Sequence, residues 1–408
     1  MRITGIDCHV LLVPDYDEEA CSSAQDDLVV VIHTDEGITG IGECDTNPWV
    51  ARECIRARGT HCMGLGLEEM LIGEDPRDPE VIWQKLYSGS KMTGRRGAVI
   101  CAMGAIDMAL WDIRGKAAGV PIHQLLGGAV KEYITPYASL MPSGRTLSDY
   151  RDGLIEAAMA AKEYGFRAGK MEVCIKGPYS HNGIQASDDA IVDMVAACRK
   201  AVGPDFVMMV DVAYCWSSAK EALSVFNRLE PYDIFFLETP IDIDDLDGYA
   251  YLAQHSPIRI AAGEWQNTHW EFLDLADRGQ LAVLQPDVGR VGGFSEIKKV
   301  AKIAEERNRI IVPHCWKTGV GIAATAHFAA TSSNCAYIEF LPAALCESGL
   351  RKELVVDELQ IVDGVIPLPK KPGLGVQLNL AALDTYADPE NRSQTPAADR
   401  RFGVRHVV

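Results

Sequence analysis

Val207-Met208-Met209-Val210-Asp211, Ile234-Phe235-Phe236-Leu237-Glu238 and Ile258-Arg259-Ile260-Ala261-Ala262-Gly263-Glu264 are three short apolar runs, each closed by a carboxylate. Each gives way to turn chemistry or a polar stretch, the pattern of a buried parallel strand. The acids lie 27 and 26 residues apart, room for one strand and one crossover helix. Repeats of that length closing into a barrel set their strand ends side by side on one rim. Three carboxylates on one rim repel unless positive charge lies between them, and a hard divalent cation held by oxygen ligands supplies it. Acids are common where loops begin, but chance does not readily set one directly after each of three successive strands.

Outward from this stretch the rhythm of strand and helix runs from Glu132 to about Leu354. Strand ends fall near Ser139, Glu172, Asp211, Glu238, Glu264, Asp287, His314 and Glu339. That suits a (β/α)8 barrel, although spacing alone leaves seven or eight units open. Upstream, Ile3 to Pro14, Asp27 to Thr34 and Ile38 to Glu43 read as antiparallel strands, the last two joined by a hairpin turn at Asp35-Glu36-Gly37. Two loops accompany them, acidic Asp15 to Gln25 and Cys44 to Trp49. Helical spacing begins near Val50, and the clearest helix runs from Arg95 to Gly119, with Ala98, Ala102, Ile106, Ala109, Leu110 and Ile113 on one face. Gly119 and then Pro121 end it. Strands followed by helices, without alternation, mark a separate α+β domain. Beyond Val355, a turn at Asp363-Gly364 and the Pro/Gly-rich stretch Pro367 to Gly375 read as a strap. The expected division is 1–130, 131–355 and 356–408.

The 408 residues are 48% hydrophobic, enough for a sizeable core. A net charge of −18 argues against nucleic acid and anionic membranes as partners, and requires a local positive site for any anionic substrate. Twelve cysteines lack C-x-x-C or zinc-like spacing. With no signal-peptide pattern and no long apolar run, they read as reduced core residues of a cytosolic protein.

Three motifs carry a resemblance. They are Ala105-Ile106-Asp107-Met108-Ala109-Leu110-Trp111-Asp112-Ile113-Arg114-Gly115-Lys116 with Pro121 and Leu125-Leu126-Gly127-Gly128, then Gln285-Pro286-Asp287-Val288-Gly289-Arg290-Val291-Gly292-Gly293, and Pro372-Gly373-Leu374-Gly375-Val376. Through them the chain resembles the enolase superfamily, in its mandelate racemase branch, over nearly its whole length. The resemblance implies an α/β fold: a modified TIM barrel of (β/α)7β type, with an N-terminal α+β capping domain completed by the C-terminal tail. It also implies an active site at their interface, one Mg2+ held by Asp211, Glu238 and Glu264, and a homo-oligomer.

A proton next to a carboxylate is weakly acidic because its removal adds a second negative charge. Mg2+ on the substrate carboxylate stabilises that charge, and a nearby base takes the proton. His314 ends Ile310-Ile311-Val312-Pro313, and Asp287, one unit earlier, matches the family's His-Asp dyad, in which the carboxylate fixes the tautomer and raises basicity. Lys or His bases working with Mg2+ are the general pattern of this superfamily. Lys170 and Glu172, two apart on one strand, face the same side. Many relatives carry Lys-x-Lys here with the second lysine as base; this chain has Glu172 instead. Lys170 is expected to hold the substrate carboxylate. Glu172 is expected to pair with Lys170, sit near the metal, or bind a substrate hydroxyl. Glu339 matches the residue that in relatives hydrogen-bonds the substrate carboxylate, which a protonated Glu can do.

With one convincing base, a reaction on one face is favoured. His314 takes the α-proton and the β-hydroxyl leaves, with His314, Lys170 or Tyr137 as acid, giving a 2-keto-3-deoxy acid. The polar loops Lys176 to Gly183, containing His181, and Trp265 to His269 suit a polyhydroxylated substrate. The leading reading is therefore an acid-sugar (aldonate or aldarate) dehydratase, a lyase. A racemase, epimerase or cycloisomerase using Lys170 as second base, and a non-catalytic scaffold, are the alternatives.

Overall fold

β1 (Ile3–Leu12), β2 (Asp26–Thr34) and β3 (Thr39–Cys44) pair antiparallel in that order. The computed structural model describes residues 1–17, 22–142, 144–346 and 348–388. Residues 18–21 of the expected acidic loop and 389–408 of the expected strap lie outside the described residues. β1 ends two residues before the expected Pro14.

The long helix α1 (Ala98–Ala118) lies across the sheet, and every residue from Ile100 to Ile113 is buried. The expected single apolar face is thus a helix buried all round, the state of a helix packed on every side. Small residues permit it. On β3, a Cβ at Gly40 or Gly42 would stand 2.0 Å from the carbonyl oxygen of Ala109 or Ala105, so only glycine lets strand and helix touch. The helix starts three residues after the expected Arg95, because Gly97 has φ 72° and gives its N–H to the Asn267 side chain. It stops at Gly119, φ 70°, as expected.

Two buried acids on α1 tie the domains together. Asp107 accepts from the backbone N–H (2.9 Å) and hydroxyl (2.5 Å) of Ser295, in the first turn of a barrel helix. Asp112 accepts from Ile41 N (3.0 Å) on β3, Leu374 N (2.8 Å) in the C-terminal segment and Lys116 Nζ (2.7 Å).

The barrel has eight parallel strands: β4 (Pro136–Leu140), β5 (Ala168–Glu172), β6 (Val207–Asp211), β7 (Ile234–Glu238), β8 (Ile260–Ala262), β9 (Val283–Leu284), β10 (Ile310–Ile311) and β11 (Ile338–Phe340). They are ordered β10-β9-β8-β7-β6-β5-β4-β11. A parallel bridge between Ile311 and Cys335, with Glu339 N donating to Pro313 O (3.3 Å), closes the ring. Among the described residues one long helix lies in each of the seven intervals: α2 (Leu147–Tyr164), α3 (Asp188–Val202), α4 (Ala219–Leu229), α5 (Leu246–His255), α6 (Thr268–Asp277), α7 (Phe294–Glu306), preceded by a single turn at Val288–Val291, and α8 (Gly319–Thr331). This is the (β/α)7β arrangement. The chain then returns to the capping domain, where α9 (Leu380–Tyr386) packs on Leu11, Val13 and Val29, and Asp388 N donates to Val10 O (2.9 Å). No helix among the described residues is long and apolar enough to cross a membrane.

Replacing Asp112 by Ala leaves the Ile41 and Leu374 amides buried without an acceptor, at a cost of about 1–3 kcal/mol each. Asp112→Ala should therefore lower the thermal midpoint by calorimetry, with Asp112→Asn falling between it and the parent; an unchanged midpoint would count against this role.

Candidate active site

Period-two alternation stacks the barrel interior in layers. Tyr137, Ala168, Met209, Phe236, Ala261, Val283 and Val312 pack as one buried apolar ring. Two residues further along the same strands stand Ser139, Lys170, Asp211, Glu238, Gln285 and His314, and Glu339 follows Tyr337 likewise. The apolar ring is the floor and the polar ring the mouth. On β8 the polar position falls on Gly263, whose φ of 132° bends the chain so that Glu264 comes next. A Cβ there would meet Phe272 at 2.8 Å.

Lys170, 1% exposed, is the hub. Its Nζ lies 2.8 Å from Glu339, 2.9 Å from Glu238 and 3.8 Å from both Glu172 and Asp211. Burial opposes its charge, but these carboxylates outweigh it and push its pKa well up, so it is an ammonium ion. Burial pushes the Glu238 pKa to about 8, Lys170 working against the rise and Asp211 adding to it. Glu172 is raised well above its ordinary range by burial and then Asp211. Gln285 Nε2 donates to Glu238 (2.6 Å), while its Oε1 is buried without a donor.

The three acids of the opening stretch end adjacent strands, with Asp211 and Glu238 paired in register. The donor sets that converge within 4.8 Å among the described residues are Glu172-Cys174-His181 and Asp45-Asp287-His314; Asp211, Glu238 and Glu264 stand further apart as a set. Their chemistry nonetheless fits a hard cation. Among the described residues, the cations that Glu172, Asp211, Glu238, Glu264, Asp287 and Glu339 meet are Lys170, Arg290 and His314, and burial first, with Asp211 adding to it, raises Glu238 and Glu172.

His314 Nδ1 lies 2.7 Å from Asp287 Oδ2. A carboxylate only accepts, so Nδ1 carries a proton and Nε2 is the nitrogen turned toward the carboxylate cluster. Asp287 Oδ1 is fixed by Gly289 N (2.7 Å) and Arg290 N (3.2 Å) at a helix start. Nε2 faces Glu264 (3.3 Å) and Glu339 (3.9 Å). Burial and Arg290 oppose the imidazolium, yet Glu339, Asp287 and Glu264 prevail and the pKa stands at about 9.

Other expected residues are placed differently. Tyr137 belongs to the apolar floor, wholly buried and 5.8 Å beneath the Lys170 ammonium. It supports that lysine rather than lining the mouth, because it lies two residues below the polar layer. Glu339 is a carboxylate in this arrangement. Against burial, Lys170 and then His314 hold its pKa at about 2, and it accepts from Ser139 Oγ (2.6 Å) and Cys315 N (2.8 Å). His181 is buried and lies 2.6 Å from the Tyr150 hydroxyl, which itself donates to Glu172 O (2.8 Å). His181 therefore donates from Nδ1, and burial lowers its pKa to about 4. Trp265, 40% exposed, stacks on Tyr214 at 4.3 Å.

Sequence reasoning missed Tyr214, Arg290, Asp45 and Lys317. Tyr214, held at φ 57°, donates its hydroxyl to Glu264 Oε1 (2.9 Å). Arg290 pairs with Asp45 of the capping domain (2.7 Å) and reaches Glu264 Oε2 (3.4 Å). Lys317 binds the backbone of Ser23 and Asp26. Arg290 lay inside a recognised motif and Asp45 inside the second cap loop, but nothing in the sequence paired them.

Residues 18–127 match the family model "Mandelate racemase / muconate lactonizing enzyme, N-terminal domain", and residues 154–382 match "Enolase C-terminal domain-like". The chain is 33% identical over 399 residues to a D-galactarolactone cycloisomerase of Agrobacterium fabrum, covering 96% of this chain and all of that protein. It is 33% identical over 366 residues to a D-galactonate dehydratase of Ralstonia nicotianae, covering 87% of this chain and 90% of that one. The structure of a 3,6-anhydro-D-galactonate cycloisomerase from Zobellia galactanivorans superposes with a TM-score of 0.82 at 31% identity, covering 95% of this chain and all of that one. On these matches, joined to the capped barrel, the chain belongs to the enolase superfamily, in its mandelate racemase branch.

Proposed function

We propose that the protein is a Mg2+-dependent acid-sugar dehydratase that removes the proton α to a carboxylate and eliminates the β-hydroxyl as water, leaving a 2-keto-3-deoxy acid. The observation that carries this reading is the His314–Asp287 pair at 2.7 Å, facing the carboxylate cluster. Asp211, Glu238 and Glu264 would hold the metal, which when bound offsets the charge that builds on the substrate carboxylate. Lys170 holds a cationic donor beside that carboxylate, and Glu339 and Ser139 hold Lys170 in place. His314 Nε2 takes the α-proton. Asp287 keeps the other proton on Nδ1 and stabilises the imidazolium. The imidazolium then returns its proton to the β-oxygen as the C–O bond breaks, and the enol becomes the keto acid. Glu172, His181 and Trp265 are proposed to bind substrate hydroxyls at the rim.

Lys170 argues against a second base on the opposite face. A base must first give up its own proton: four carboxylates within 3.8 Å hold that of Lys170, whereas the His314 imidazolium depends in part on Glu264, whose field a bound cation would draw away. A second reading keeps the same α-proton step but expels a ring oxygen, giving an isomer without loss of water. It is favoured by the full-length likeness to the two cycloisomerases. A cytosolic homo-oligomer with no nucleic-acid or membrane partner completes the proposal, resting on the family likeness and the charge of −18.

A panel of acid sugars and their lactones with Mg2+, scored with semicarbazide for 2-keto acids and by mass for loss of water, is expected to give a dehydrated keto acid. An isomer of unchanged mass selects the cycloisomerase, and C2 exchange alone selects a racemase.

His314→Asn should lose turnover and C2 deuterium exchange together, by roughly 10²–10⁴-fold, and Asp287→Asn should lose less. Exchange of one epimer at the parent rate by NMR in His314→Asn would refute the one-base mechanism.

EDTA treatment should abolish turnover and Mg2+ restore it. Glu238→Gln should bind the metal more weakly by calorimetry with an unchanged circular dichroism spectrum; full activity after EDTA removes the metal requirement.

A further inference from the structure

We propose, resting on the metal reading above, that Tyr214 and Thr239 are positioning residues for the cation: their hydroxyls fix which oxygen of Glu264 and of Asp211 is turned to it. Each of the three expected ligands has one oxygen held by an uncharged donor. Tyr214 Oη donates to Glu264 Oε1 (2.9 Å), Thr239 Oγ1 and Ala213 N to Asp211 Oδ1 (2.9 Å each), and Gln285 Nε2 to Glu238 Oε2 (2.6 Å). The opposite oxygen of each carboxylate faces a cationic side chain at the mouth. Asp211 Oδ2 and Glu238 Oε1 lie 3.8 and 2.9 Å from Lys170 Nζ. Glu264 Oε2 lies 3.3 Å from His314 Nε2 and 3.4 Å from Arg290 Nη1. One side of the set is thus tied by neutral groups, and the other is where positive charge gathers. Neutral donors orient a carboxylate without adding charge that repels a cation.

The backbone of the same residues is strained. Ala213, Tyr214 and Thr239 have φ of 43°, 57° and 45°, a region that residues other than glycine rarely enter, least of all a β-branched threonine. All three lie in the two turns that directly follow Asp211 and Glu238. Tyr214 N donates to Thr239 O, so the turns brace each other. Strain of this kind persists where surrounding contacts over-determine it, and it gathers at sites that clamp a ligand. Its product here is placement. The turn after β6 carries the Tyr214 hydroxyl to Glu264, two strands away beyond the end of β8. Thr239, wholly buried after β7, reaches back one strand to Asp211. The Tyr214 ring also stacks on Trp265 at 4.3 Å, a contact that does not involve the hydroxyl.

The test measures Mg2+ dissociation constants by calorimetry on the full-length protein, with Mn2+ and electron paramagnetic resonance as a second probe. Tyr214→Phe keeps the ring and its stacking on Trp265 and removes only the hydroxyl. It is expected to weaken metal binding by about 10–100-fold, and Thr239→Val to do the same. Thr239→Ser, which restores the donor, should bind like the parent. Tyr249→Phe is the control for a merely structural phenol. Its buried hydroxyl donates to Ile241 O (2.9 Å), so its loss should lower the thermal midpoint and leave metal affinity unchanged. Parent affinity in Tyr214→Phe or in Thr239→Val overturns the inference for that hydroxyl and leaves the metal requirement standing. Thr239→Ser as weak as Thr239→Val, or Tyr249→Phe as weak as Tyr214→Phe, overturns it likewise. A parent protein that binds neither ion overturns the inference and the metal reading together.

Discussion

One ammonium group holds the mouth of the barrel together. Lys170 on β5 bridges Glu238 on β7 and Glu339 on β11, each two strands away around the ring. Without it, Glu172, Asp211, Glu238 and Glu339 would face one another in a low-dielectric interior, which strands without compensating charge do not tolerate. Even with it the balance is incomplete. A carboxyl such as Glu238, raised in the folded state to about 8, contributes stability below its ordinary pKa that is lost as pH rises through 8. His314, raised to about 9, likewise stabilises below its ordinary value and loses that contribution as pH rises through 9. Both trends weaken the metal-free fold toward alkaline pH. The arrangement gives up stability for a site that favours positive charge and a polarised carboxylate.

The capping domain is secured by acids that cap or bridge foreign backbone. Glu43 on β3 closes the start of α8, Asp107 the start of α7, and Asp112 joins β3 to the C-terminal segment. Helix starts carry unsatisfied N–H groups and partial positive charge, so a carboxylate from another domain is a stabilising partner there. Arg290 extends the same principle into the site. It begins three residues after Asp287, spans to Asp45 in the cap loop and touches Glu264. Placement of the cap loop and orientation of Glu264 are therefore linked through one side chain.

The fold and the main site were legible because they depend on periodicity along the chain. Apolar runs ending in Asp211, Glu238 and Glu264, and the matching positions of Asp287 and His314, put these groups on one rim whatever the details of packing. Alternation likewise paired Lys170 with Glu172. Three things needed the tertiary structure. Tyr137 and Ser139 differ by a single inward step, but which layer is floor and which is mouth depends on how the closed barrel fills. Charge states follow the summed field of neighbours on other strands, so that Lys170 and His314 hold Glu339 as a carboxylate. The pairing of Asp45 with Arg290 joins residues 245 apart, and no local pattern signals a contact set by the docking of one domain on another.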